Sequence, residues 1–144
     1  MQRDPACVFC KIVAKEIPAA IVYEDQSVLA FLDVGPLADG HLLLVPRAHY
    51  PLLVDLPAVD SARLGELLPA AGAALLEVAG ASGFNVLINN GKIAGQVVPH
   101  VHLHLIPRRE GDQLGYRWNA GSYPPGRADE LARMYKQALR VKRG

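Results

Sequence analysis

Apart from Cys7 and Cys10 the 144-residue chain has no cysteine. That excludes a disulfide framework, because two residues so close together close no useful structural loop, and in a reducing compartment such a pair suggests a bound metal or a redox couple. An excess of charge of either sign is missing as well. Lys and Arg number 15 against 14 Asp and Glu, a formal net charge of +1, so there is no broad basic field of the kind a nucleic-acid polymer needs, and any phosphate site must be built locally. No apolar run approaches the roughly 20 residues needed to span a bilayer, and residues 1–7 lack the marks of a secretory leader. The expectation is a cytoplasmic protein without membrane or nucleic-acid partners. Repeats and domain-separating linkers are lacking too, which leaves one domain over residues 1–144. Its 51% hydrophobic composition suffices to bury a core and argues against disorder.

What is present sorts by period. Residues 8–13 read as a short apolar helical turn. Residues 21–23 and 28–33, joined by a turn at 24–27, read as a hairpin. Gly35-Pro36 breaks the second strand, and after a turn at Asp39-Gly40 residues 41–46 read as a buried strand. From about 58 to 79 the period becomes helical, with Leu64, Leu67, Leu68, Ala71, Leu75 and Val78 on one stripe. Asp60 or Ser61 is the expected N-cap and Pro69 the expected kink. Gly80 and Gly83 end that helix, residues 84–90 are extended again, and a loop over 91–99 leads into a last strand. The tail combines an irregular stretch, 110–126, with an amphipathic helix over about 128–141 whose apolar side is Leu131, Met134, Tyr135, Ala138 and Leu139. Helix and sheet share one core.

The last strand carries the chemistry. His100, His102 and His104 alternate with Val101, Leu103 and Leu105, so in extended backbone the imidazoles line one face and the aliphatic side chains the other. Successive histidines would stand roughly 6.6 Å apart, a spacing usable around one phosphate or one metal. A neutral imidazole serves as nucleophile, acid, base or ligand according to what its second ring nitrogen is bonded to. The alternation alone therefore leaves these roles open.

Six segments in order, covering residues 7–108, are similar to the histidine triad family of nucleotide hydrolases and transferases. They are the Cys7-Val8-Phe9-Cys10-Lys11-Ile12-Val13 run, Ile17-Pro18-Ala19, Phe31-Leu32-Asp33, Val45-Pro46-Arg47-Ala48-His49, Asn89-Asn90-Gly91, and Gly95-Gln96 through His104. The resemblance implies an α+β fold: a five-stranded antiparallel sheet with one long helix and a C-terminal helix, paired across a homodimer into ten strands. It also implies attack on the α-phosphorus of a purine nucleotide, with His102 as the nucleophile that forms a nucleotidyl-histidine intermediate. Residues 109–144 form the segment that varies in this family, and Trp118 lies beyond the clear match.

The same resemblance distributes the remaining roles. Gly95, Gln96 and Val97 form a phosphate loop that offers backbone N–H groups, with the Gln96 amide and His104 as further donors. Asp33 matches the acid that accepts hydrogen bonds from the ribose hydroxyls, and Asn89 a polar residue near sugar and phosphate. Phe9, Ile17, Phe31 and Val34 match the apolar walls of the base pocket. Taken alone, Asp33 reads as a strand-end turn residue, Asn89 as part of a turn, and the apolar four as ordinary core. Cys7, Cys10, His49 and His100 form a Cys₂His₂ set suited to a structural, tetrahedral zinc, similar to some bacterial members; without metal, His49 would hydrogen-bond within the histidine cluster. No organic cofactor is expected. His41 has no evident partner and reads as structural or surface-exposed. Arg108 and Arg109 read as solvated, or as reaching a distal phosphate. The chief departure is Val97, where the family commonly has Ser or Thr to contact the leaving group. The alternatives are a dinucleoside polyphosphate hydrolase using the same residues, a non-catalytic nucleotide- or zinc-binding regulatory module, and a catalytic metal held by the three histidines themselves.

Overall fold

Three short apolar runs build the centre of a sheet that is buried on both faces. The computed structural model describes residues 1–115 and 120–140. Strands β1 (Ile21–Glu24), β2 (Val28–Leu32), β3 (Leu42–Pro46), β4 (Gly83–Ile88) and β5 (Leu103–Arg108) are joined in the spatial order β1-β2-β3-β5-β4. All neighbouring pairs are antiparallel. The fold is thus α+β, as expected. The β1–β2 turn is fixed by Asp25, whose carboxylate accepts the N–H groups of Ser27 at 2.7 Å and Val28 at 2.8 Å, as a short acidic side chain does at a tight turn.

Period 2 assigns the core. Val28 and Ala30 of β2, Leu42 and Leu44 of β3, and Leu103 and Leu105 of β5 pack against helix α2 (Ala58–Ala79) through its Leu64 and Leu75. On the opposite face Leu29, Phe31, Leu43 and Val45 pack with Phe9 and Ile12 of the short helix α1 (Val8–Val13). Strands β2 and β3 are covered on both sides, which is why they read as continuous apolar runs rather than as alternation.

Helix α2 has the expected limits but a different N-cap. Pro57 occupies the N-cap with no side-chain cap, and Asp60 lies in the first turn, where its negative charge meets the positive end of the helix dipole instead of capping. The helix continues through Pro69 and closes at Gly80, whose left-handed φ of 58° suits glycine. Val78, assigned to the buried stripe, is 83% exposed and borders an open groove with Val22, Leu32 and Leu42. Gly72 permits the close approach to the sheet: a Cβ there would lie 2.5 Å from the Phe84 ring.

The last strand is shorter than expected. Regular pairing begins at Leu103, with Leu44 opposite it on β3 and Ile88 on β4. Further up, Pro46 has no N–H to extend the ladder, its carbonyl is taken by the His100 ring at 2.8 Å, and the Val101 N–H turns to the Tyr50 carbonyl at 2.8 Å. The alternation of faces nevertheless continues, for Val101 joins the α2-side core.

The described residues divide into two compact units, Met1–Leu114 and the segment from Gly115 onward. Within the second, helix α3 (Arg127–Ala138) follows Gly126 and carries an Arg127–Glu130 ion pair at 3.0 Å. Of its expected apolar side only Leu131 is half-buried; Met134, Tyr135, Ala138 and Leu139 are exposed. Trp118, and Val141 at the expected end of this helix, lie outside the described residues. Among the described residues no helix is long and apolar enough to cross a membrane.

Leu105 is fully buried and lies on the strand held between β3 and β4. Leu105→Ala is expected to destabilise the fold by about 2–5 kcal/mol, measured by urea titration of the circular dichroism signal. A loss under about 1 kcal/mol would place the core elsewhere.

Candidate functional site

The face of the sheet opposite α2 is where the even-numbered histidines point. Antiparallel register sets their neighbours. Leu32 lies opposite Leu42 and Leu43 opposite His104, so Phe31, Asp33, His41, Leu43 and His104 share one face. Helix α1 adds Phe9, whose ring meets Phe31 edge-on at 5.5 Å between centroids and His102 at 5.0 Å.

All of these side chains except His41 border a cavity of about 420 Å³, a size suited to a small-molecule ligand. Its walls are apolar, with Phe9, Ile17, Phe31 and Leu43 among them, and its polar groups are Asp33, Asn89, His102 and His104. Gly95, Val34 and Val97 also border it. Val34 and Val97 are 96% and 89% exposed and stand at its mouth. The cavity thus brings together ten of the eleven residues expected to contact a nucleotide.

Gln96 is the exception. Its side chain is buried; the amide oxygen accepts the Gly91 N–H at 2.8 Å and the amide nitrogen donates to the Pro51 carbonyl at 2.7 Å. The backbone N–H groups of Gly95 and Gln96 are likewise bonded, to the carbonyls of Lys92 and Gly91. Residues 91–96 therefore close on themselves as a braced turn. The loop donors left to the cavity are the Val97 and Val98 N–H groups, which make no hydrogen bond among the described residues.

Obligate donors and acceptors assign the ring protons. The His100 carbonyl can only accept, so the His102 Nδ1 at 2.7 Å carries hydrogen and Nε2 is left with its lone pair. The Leu37 N–H must donate, so the His41 Nδ1 at 3.1 Å accepts it and Nε2 bears the hydrogen. That hydrogen goes to the His104 Nδ1 at 2.9 Å, which leaves His104 an Nε2–H donor. Asp33 stands beside this pair, its Oδ2 3.6 Å from the His41 Nε2 and 3.9 Å from the His104 Nδ1. Its Oδ1 caps the Gly35 N–H at 2.9 Å, so the turn-capping reading of Asp33 holds alongside its place in the cavity. Burial lowers the pKa of His41 and His102, and in both Asp33 opposes the shift.

His41 is the residue that sequence reasoning missed. It is buried and bonded on both ring nitrogens. The available signal was the hairpin itself: with β2 and β3 antiparallel across Asp33 to Gly40, their ends meet, and the register puts Asp33 opposite His41.

A second cluster lies beside the first. The Cys7 Sγ is 3.5 Å from the His100 Nδ1, the Cys10 Sγ is 3.4 Å from the His49 Nδ1 and 3.7 Å from the His100 Nδ1, and the two Nδ1 atoms are 3.2 Å apart. Tetrahedral zinc with ordinary bond lengths has edges of about 3.5 Å between sulfur and nitrogen and about 3.3 Å between two nitrogens. The His100 Nε2–H is committed to the Pro46 carbonyl, which presents Nδ1 bare to the thiols. The Asp4 carboxylate stands 3.9 Å behind the His49 Nε2, where a second carboxylate commonly orients a ligand histidine. These four residues could hold a metal. Asp33, His41 and His104 also converge, but the Leu37 N–H keeps hydrogen on the His41 nitrogen that would have to bind. His102 belongs to neither set, so among the described residues the triad histidines do not converge on one metal.

Arg108, the last residue of β5, and Arg109 after it bond within the protein. Arg108 bonds Asp112 at 2.8 Å, Asn85 at 2.8 Å and the Leu114 carbonyl, and Arg109 donates to the Ala79 carbonyl. Arg108 ties the end of the sheet to the following turn, while Arg109 reaches the end of α2 and stays exposed, as the solvated reading expected; neither borders the cavity.

A family model described as HIT domain matches residues 14–111. Adenylylsulfatase HINT3 of Arabidopsis thaliana is 44% identical over 114 residues, 79% of this chain; the chain spans only 57% of that protein. Adenosine 5'-monophosphoramidase HNT1 of Saccharomyces cerevisiae is 41% identical over 137 residues, 94% of this chain and 82% of that protein. Among solved structures, a member of the HIT family from Bacillus subtilis superposes with a TM-score of 0.90 at 34% identity, covering 95% of this chain and 99% of that one. A Zn-bound histidine triad family protein from Mycobacterium smegmatis superposes with a TM-score of 0.72 at 36% identity, covering 92% and 97%.

Burial, with His102 and His41 alongside, pushes the His104 imidazole down to about 4 from its ordinary 6.5. Between those values the unfolded chain binds more protons at this ring than the folded one, so this contribution to stability is complete above the unfolded pKa and falls as pH drops toward 4. The thermal midpoint of His104→Gln should therefore decline less between pH 6.5 and 4.5 than that of the native chain. Equal slopes would show that His104 is not held neutral.

Proposed function

This chain belongs to the HIT domain family, and we propose that it is a nucleotide hydrolase in which His102 attacks the α-phosphorus of a purine nucleoside 5′-phosphoramidate or a related nucleotidyl conjugate. The observation that carries this reading is the hydrogen bond from the His102 Nδ1–H to the His100 carbonyl at 2.7 Å, which gives the cavity an Nε2 lone pair with no deprotonation required. Attack forms a nucleotidyl-histidine. Water then resolves it, so that one displacement becomes two easier ones.

The surrounding groups fit the developing charge. Phosphoryl transfer needs positioning and dispersal of negative charge more than covalent help. The Val97 N–H and the His104 Nε2–H are the donors assigned to the phosphate oxygens, and Asn89 flanks the sugar and phosphate. Asp33 receives the ribose hydroxyls through Oδ2, while the base lies between Phe9, Ile17 and Phe31, with Val34 at the rim. Gln96 acts as the brace of the loop, and His100 as the support of His102. The names of the phosphoramidase and adenylylsulfatase relatives agree with chemistry at a nucleotide α-phosphorus.

We assign Cys7, Cys10, His49 and His100 to a structural zinc. It would tie the start of α1 to the segment that leads into β5, and four protein ligands leave no open position for substrate. The Zn-bound relative supports this choice of metal. Strand β4, at one end of the sheet order, is the edge through which a second copy would extend five strands to ten.

Mixing the protein with adenosine 5′-phosphoramidate and quenching in mild alkali should give an intact mass increased by one AMP, mapped by peptide to His102 and missing from His102→Ala. Release of AMP by His102→Ala at the native rate would sink the mechanism. Chelation of the metal should lower the thermal midpoint, while protein still folded after treatment keeps forming the adduct. Loss of the adduct in folded, metal-free protein would instead make the metal catalytic.

A further inference from the structure

The reading above leaves open what departs from phosphorus, and the charge distribution of the cavity bears on it. Among the described residues bordering the cavity there is no lysine and no arginine, and the one carboxylate is Asp33. His104 adds no cation at neutral pH, because burial holds it neutral. Arg108 at the end of β5 and Arg109 after it have their bonds elsewhere. Lys92, in the same loop as Val97, does not border the cavity.

The position of the apolar groups adds a direction. Phe9, Phe31 and Leu43 form the buried end, and Val97 stands at the mouth on the loop whose Val97 and Val98 N–H groups are unbonded among the described residues. Ile93 on the same loop is fully exposed. With the nucleoside in the buried end and phosphorus at His102, the second substituent on phosphorus leaves through the mouth, past Val97. An anionic substituent there would meet apolar surface and no counter-charge, and electrostatic repulsion from the α-phosphate would go uncompensated. An amine with an apolar body would instead cover Val97.

Resting on the hydrolase reading, we propose that this site takes single-phosphate nucleotidyl conjugates of amines with an apolar body, and that Val97 is the residue that sets this preference against anionic leaving groups such as sulfate or a further phosphate. In the first step the His102 Nε2 lone pair forms a bond to phosphorus while the bond from phosphorus to the amine nitrogen breaks with its electron pair. Val97 has no hydroxyl, so the departing nitrogen takes its proton from water at the mouth. In the second step water adds to phosphorus, His102 Nε2 departs as neutral imidazole, and the proton lost by that water restores the balance: conjugate plus water gives amine plus AMP.

The test compares kcat/KM for four adenosine conjugates on the native protein, Val97→Lys and Val97→Ser: the unsubstituted phosphoramidate, a phenylethylamine phosphoramidate, adenylylsulfate and a diadenosine polyphosphate. Val97 is on the surface, so both variants are expected to fold. The phenylethyl conjugate should exceed the unsubstituted one by about tenfold. Val97→Lys should raise the two anionic substrates relative to the phenylethyl conjugate by at least about tenfold, and Val97→Ser should reduce the advantage of the phenylethyl group. Relative rates left unchanged by both variants, with the AMP adduct still on His102, would overturn the leaving-group assignment and leave the hydrolase standing. Turnover of none of the four, with no adduct, would overturn both.

Discussion

The His100 residue joins everything that the site requires. Its ring is fully buried, donates from Nε2 to the carbonyl of Pro46 at the end of β3, and turns its other nitrogen to Cys7, Cys10 and His49. Its own carbonyl then receives the Nδ1–H of His102. One residue thus links the central strand, the metal-ligand set and the tautomer of the proposed nucleophile. Each bond is made in low dielectric, where an unpaired polar group would be costly, so the arrangement has little freedom to relax. Burial also pushes the His100 imidazole down to about 4, in keeping with a neutral ring that offers a lone pair.

Neutrality is the common electrostatic theme of the cavity. Desolvation is the first cause of the lowered pKa of His41, His100, His102 and His104. The apolar packing of α1 against the sheet that holds the fold together therefore also keeps these imidazoles uncharged. Directed hydrogen bonds then decide which nitrogen of each ring is donor and which acceptor: Leu37 to His41, His41 to His104, and His102 to His100. A ligand entering this cavity meets dipoles and lone pairs rather than a net positive field.

Much of this was legible along the chain. Alternation of histidine with aliphatic residues gave the two faces of the last strand, and the helical stripe gave α2 its limits. The apolar runs identified β2 and β3, whose burial on both faces explains why they lack alternation. Errors arose where a local preference met a tertiary demand. Asp60 and Ser61 suit an N-cap, but the cap position falls on Pro57 and Asp60 lies inside the first turn. Val78 fits the stripe, yet it stands exposed at a groove beside Val22 and Leu32. Gln96 looked like a donor to phosphate, whereas closure of the loop occupies its amide with Gly91 and Pro51. His41 has no neighbour in sequence to announce it, because its partners are Leu37 across a turn and His104 on another strand.

The sequence by itself determined which residue types share a face, since the two-residue period of extended backbone and the helical period are properties of the local chain. It also determined the chemical stock of the site: imidazoles, two thiols, one carboxylate at the cavity, and a valine in the loop before the histidine strand. Only the tertiary structure decided which nitrogen of each imidazole carries hydrogen, which loop N–H remains for a phosphate, and that the cavity borders contain no cation among the described residues. Those outcomes depend on bonds between residues many positions apart, Pro46 with His100 and His41 with His104. Such pairs come into contact only when β3 and β5 lie side by side.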